Sequence, residues 1–228
     1  MLYLFHERLI KILPRRRGKK IPHFIIPHFT KGGSPDASAY RDRGVINMDD
    51  LAKYYLSDAI NKFRELKSLG DKAFSHIKDE DFFFTPDEET NSIAIIIRHL
   101  SGNMLSRWTD FLTSDGEKEW RNRDEEFEQL FYTDKDDIID RWEKGWKCVF
   151  DALGSLTPND LMKKVKIRGE DHYVVEAINR QLSHYAYHLG QIIYMAKYLA
   201  KDNWGSLSVP RGGSKEFNDR MKKEHGEF

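Results

Sequence analysis

The 228-residue sequence has one cysteine, Cys148, so it can form neither an intramolecular disulfide nor a thiolate metal cluster. That excludes a secreted disulfide scaffold and fits a reducing compartment, with the cytoplasm as the default expectation. Long apolar runs are also missing: the longest, Ile93 to Ile97, is too short to cross a bilayer. Glu7, Arg8 and Lys11 break up what would be the apolar stretch of a leader peptide. Net charge is absent too, because 37 Lys and Arg offset 37 Asp and Glu, which gives no support for a nucleic-acid or acidic-membrane partner. The expectation is a soluble protein with no membrane role. Hydrophobic residues, at 39%, suffice for a core and argue against a wholly disordered chain.

The charge is unevenly spread. Residues 1–47 carry ten Lys and Arg against three Asp and Glu, a net of +7, so residues 48–228 carry −7. The early segment holds four of the seven prolines, the breaker Gly32-Gly33-Ser34-Pro35 and the basic block Arg15-Arg16-Arg17-Gly18-Lys19-Lys20, with no helical period. It reads as loop or disorder. One account makes it a basic arm for nucleic acid or anionic lipid. The other takes Met48 as the initiator, since Met48-Asp49-Asp50-Leu51 opens an acidic first turn and Arg43-Gly44-Val45 is compatible with an encoded ribosome-binding stretch. The composition break favours the second account, with 1–47 a leader and 48–228 the domain.

Four long amphipathic segments follow. Leu51 to about Ile77 has helical spacing (Leu51, Tyr54/Tyr55, Ala59/Ile60, Phe63, Leu66, Phe74), with Gly70 as a weak point. Asn91 or Ser92 caps a second helix with a stripe from Ile93 to Phe111, after a connection whose Phe82-Phe83-Phe84 rings should dock on the core. Asp115 to Thr133 is charged and aromatic without period, an irregular excursion. A third helix spans Asp134 to about Leu156, residues 162–172 suggest a small accessory hairpin, and Tyr173 to about Leu199 is the most apolar helix. An irregular tail from Trp204 leads to a short helix over 215–224. The economical architecture is all-α, an antiparallel four-helix bundle with a small hairpin before the last long helix.

Among nine histidines, His184 and His188 are four apart on that last helix. This spacing stacks both rings on one face, where they can converge on one ion. A divalent ion needs a third protein ligand, and His99, mid-apolar in the second helix, can provide it from a facing helix. A lone histidine in an apolar stretch is more often a hydrogen-bonded core residue, and HxxxH without a metalloprotease glutamate is permissive, so the two features count mainly because they coincide. Asn103 and Gln191 can orient ligands from behind, though plain helix contacts explain them equally well. Tyr185 and Tyr187 flank the pair; such aromatics are more often core, yet Tyr187 is a candidate for substrate binding. Arg211, in Arg211-Gly212-Gly213-Ser214-Lys215, can meet an anion, but a chain-ending turn uses the same glycines. Cys148 reads as an inert buried thiol.

A histidine in the second helix followed by HxxxH-x-x-Gln in the fourth resembles the DinB/YfiT-like superfamily of four-helix metalloproteins. The stretch from His99 to Phe111, with Asp115-Gly116-Glu117-Lys118 and the tail Ser206 to Asn218, resembles its DUF1572 branch more narrowly. The resemblance covers Met48 to about Asn218. It implies one divalent metal, commonly nickel or zinc, on three histidines, and a homodimer. Characterised branches include thiol-dependent S-transferases and a maleylpyruvate isomerase. Three functions stay open: a metal-dependent enzyme, a transferase of a small thiol or a hydrolase; a non-catalytic metal-stabilised dimer; and a nucleic-acid binder acting through the basic arm.

Overall fold

The computed structural model describes residues 48–128 and 133–226, and the protein over these residues is mostly helical. The expected leader, 1–47, and the aromatic pair Phe131 and Tyr132 lie outside the described residues. Helix α1 is Met48–Phe74, α2 is Ile93–Trp108, α3 is Lys135–Ser155, α4 is Val174–Ala200 and α5 is Ser214–His225. Strands β1 (Lys164–Ile167) and β2 (Glu170–Tyr173) form the expected hairpin, paired antiparallel with Lys164 opposite Tyr173.

Local chemistry accounts for most boundaries. The Ser92 hydroxyl accepts from the Ile95 amide and starts α2, and Asp134 does the same for Asp137 at α3. Helix α2 ends at Trp108, short of Phe111, where Asp110 turns left-handed at φ 49°. In α1, Leu51 and Tyr54 fall on the exposed side rather than in the stripe; the buried face is Leu56, Ala59, Phe63, Gly70, Ala73 and Phe74. Gly70 is no weak point. A Cβ there would lie 2.6 Å from Cζ2 of Trp142, so the glycine admits the indole against α1. Phe82 is fully buried, whereas Phe84 is 38% exposed, so only part of that aromatic trio docks.

The core lies where α1, α2, α3 and α4 meet around Phe63, Trp108, Trp146 and Tyr185, whose rings contact one another edge-on or tilted at 5.8–6.3 Å. The helix directions correct the expected antiparallel order. Tyr55 bonds Val175 O and Asn179 while Gly70 faces Leu189, so α1 and α4 run the same way. Ser101 bonds Arg141 O and Thr109 lies 3.6 Å from the Cys148 sulfur, so α2 and α3 also run the same way. Antiparallel contacts join α1 to α3 (Phe63 with Trp146, Asp71 with Trp142). The cause is the connection 109–134, long enough to return the chain to the starting end of α2 before α3 begins. Among the described residues no helix is long and apolar enough to cross a membrane.

Candidate metal centre

His99 projects from α2 and His184 and His188 from α4, and one ring nitrogen from each lies within 4.8 Å of the other two. His99 and His188 are buried and His184 is half-buried. His99 Nδ1 is 2.8 Å from Glu126 Oε2. An ionised carboxylate only accepts, so the ring donates from Nδ1 and turns its Nε2 inward. Gln191 Oε1 accepts in the same way from His188 Nδ1 at 2.9 Å. His99 Nε2 and His184 Nε2 stand 3.4 Å apart, longer than a good N–H···N bond. Two nitrogens at zinc-ligand distance from a tetrahedral ion are separated by about 3.35 Å. The donor type and this one separation fit a divalent metal, and the three rings stand close enough together that they could hold one.

The electrostatics favour the ligand form. Burial lowers His184 to about 3, with the neighbouring His188 and His99 adding to it. Burial also takes His188 down to about 4, against the opposing bond from Gln191. Both rings are then neutral at pH 7, with lone pairs free to coordinate. Burial works against charge on Glu126, but bonds from His99 and Arg121 outweigh it and hold its carboxyl below the ordinary value.

Glu126 comes from the excursion between α2 and α3, in a 3₁₀ turn at Asp124–Phe127. Arg121 grips it with two bonds, Nε to Oε1 at 2.8 Å and Nη2 to Oε2 at 2.9 Å. Phe127 lays its ring on His99, centroids 4.8 Å apart. The excursion is pinned in turn by the hairpin. Asp115 accepts from the amides of Arg168 (2.8 Å) and Gly169 (2.7 Å), and the Gly116 amide bonds Lys166 O. Arg168 and Gly169 are both left-handed, φ 55° and 80°, the conformation a two-residue hairpin turn requires. The hairpin is thus a support for the site rather than an accessory.

A family described as "Protein of unknown function (DUF1572)" matches residues 50–213. The chain belongs to the DUF1572 family. No curated protein and no solved structure matches it.

The other sequence candidates of this DUF1572 protein fall in different places. Gln191 and Asn103 both line the cavity beside the rings; Asn103 accepts from the Tyr185 hydroxyl at 3.2 Å instead of touching a histidine. Tyr185 is core: it also accepts from Trp108 Nε1 at 2.9 Å, and burial raises its pKa. Tyr187 is 57% exposed with its ring 4.1 Å from that of His188, and it lines the cavity. Arg211 is exposed and does not line it. Burial raises the Cys148 thiol, as an inert residue would show. Sequence reasoning missed Glu126 and Arg121. One signal was available: Gly102, a glycine inside a helix one turn past His99, where an added methyl would collide with the Glu126 carboxylate.

Proposed function

We propose that this chain is a DinB-like four-helix metalloprotein in which His99, His184 and His188 hold one divalent cation, zinc or nickel, and that the site is catalytic. The observation that carries the reading is the convergence of three imidazole nitrogens, two of them from rings anchored at Nδ1 by Glu126 and Gln191. Three protein ligands would leave such a cation room for a further ligand, as catalytic sites do. The cation, when bound, supplies Lewis acidity that polarises an electrophile or favours the thiolate of a small thiol cosubstrate. The chain's own part is to keep two imidazoles neutral, fix the His99 ring through Glu126, and place Tyr187 beside the opening. The likeness to thiol-dependent transferases and the homodimer that accompanies it belong to the same proposal.

The test is elemental analysis of the purified protein beside His184→Ala, followed by a screen of thiol and electrophile pairs. One equivalent of metal in the wild type and none in the folded variant, with turnover lost in the variant, supports the reading. Absence of metal from wild type grown and purified with zinc and nickel supplied defeats it. A full metal complement that raises the melting temperature, with no turnover in the screen, supports the non-catalytic bundle instead.

A further inference from the structure

The cavity of about 510 Å³ beside the three histidines is lined by five arginines, Arg107, Arg121, Arg123, Arg168 and Arg180, and by no Asp or Glu. Its volume suits a small molecule rather than a polymer. Two carboxylates stand behind the lining. Glu126 pairs with Arg121, and Glu117 is shared by Arg107 (3.0 Å) and Arg168 (2.8 Å). Five guanidiniums against Glu117, Glu126 and the exposed Asp124 leave the cavity wall net positive before any metal is counted. Arg123 lies over the Phe127 ring, 5.1 Å from its centroid, and its carboxylate partner is a loose one, Asp124 at 3.9 Å, itself 97% exposed. Arg180 makes no hydrogen bond or ion pair among the described residues. Arg107 is 5% exposed, and its Nε has no acceptor among the described residues.

Like charges converging on one cavity repel, and a buried guanidinium N–H without an acceptor is costly, so this arrangement calls for a compensating anion. We propose that the cavity binds a small oxyanion, a carboxylate- or phosphate-bearing molecule, gripped next to the histidine site by Arg180 and by Arg123, the arginines of the lining that no buried carboxylate holds. This deepens the catalytic reading, on which its role as substrate site rests, by naming the substrate's charge. Planar guanidiniums match the paired oxygens of either group, and the low-dielectric wall strengthens the attraction.

The experiment titrates the full chain, both zinc-loaded and chelator-stripped, with succinate and with inorganic phosphate by calorimetry; succinamide is the uncharged control. Saturable binding of either anion, none of succinamide, and about tenfold weaker binding in Arg123→Gln/Arg180→Gln support the proposal. Both arginines are exposed, so the double variant should fold, which circular dichroism checks. Arg64→Gln, an exposed arginine on α1, should leave binding unchanged. Failure of both anions to bind, or equal affinity in wild type and double variant, overturns it. Zinc stoichiometry is measured separately in every sample. Arginine-dependent anion binding without zinc binding would therefore sink the metal reading alone, and zinc binding without arginine-dependent anion binding would sink this inference alone.

Discussion

Glu126→Gln removes one negative charge while keeping the side chain's shape. The carboxylate it replaces is 6% exposed, accepts from His99 Nδ1 and holds both bonds from Arg121, whose side chain is 2% exposed. Breaking one side of a buried pair costs about 3–5 kcal/mol. Here Arg121 retains Glu117 at 3.9 Å, and the glutamine oxygen still accepts one bond, so about 2 kcal/mol is expected. For a domain of this size that lowers the melting temperature of the metal-free protein by roughly 4–8 °C. Zinc affinity, measured by competition with a chromophoric chelator, should fall about 10–100-fold, because the His99 ring loses its charged partner and with it some basicity and orientation. A companion variant separates the two effects. Glu126→Leu/Arg121→Met replaces the pair with apolar groups of similar size and should recover much of the stability, since apolar substitutes for buried pairs are often neutral. It should not recover zinc affinity. Affinity within threefold of wild type in both variants would refute the claim that Glu126 positions a metal ligand.

Three further outcomes follow from the same packing and burial. His184 and His188 titrate near 3 and 4 when folded, against an ordinary 6.5, so as pH falls the unfolded chain takes up protons first. Their contribution to metal-free stability is complete above about pH 6.5 and declines from there toward pH 3–4; melting curves at pH 7.5, 6 and 5 should show the decline, and His184→Gln/His188→Gln should flatten it. Tyr185→Phe deprives Trp108 Nε1 of its acceptor in the core and should cost about 1–3 kcal/mol in urea unfolding with zinc content unchanged; lost zinc binding would show that Tyr185 belongs to the site. Gly70→Ala, which in an exposed helix would stabilise by about 1 kcal/mol, should instead destabilise by about 1–2 kcal/mol, because Trp142 is held at Asp71 by a 2.8 Å bond and cannot retreat from the new methyl.

The long helices were legible because their physics is local. Apolar spacing in the stretch 93–108, the Ser92 cap and the acidic turn ahead of α3 each act within a few residues, and the observed elements begin where those signals stand. The histidine cluster was legible for the same reason on one side: an i, i+4 pair shares a helix face whatever surrounds it, and only His99 required a guess about which helix lies opposite. Helix direction was not legible, since the connection 109–134 is long enough to permit either order. Nor was Glu126, one of four acids among residues 124–128, of which tertiary packing alone buries this one. Nothing in that stretch distinguishes it; the distinguishing residue, Gly102, sits on another element.

The charge arrangement explains why so much irregular chain surrounds so few histidines. A cation bound among Arg107, Arg121, Arg123 and Arg168 faces their repulsion, and the helices that present the rings contribute no acid to the cavity lining. Negative charge must therefore come from elsewhere in the chain. Glu117 and Glu126 both lie in the excursion, the first against Arg107 and Arg168, the second against Arg121 and His99. Loop carboxylates hold such positions only when their backbone is fixed, and Asp115 provides that by taking the Glu117, Arg168 and Gly169 amides at 2.7–2.8 Å. Hairpin, excursion and α2 thus act as one support: the hairpin turn fixes Asp115, Asp115 fixes the start of the excursion, and the excursion brings a carboxylate to the back of a histidine.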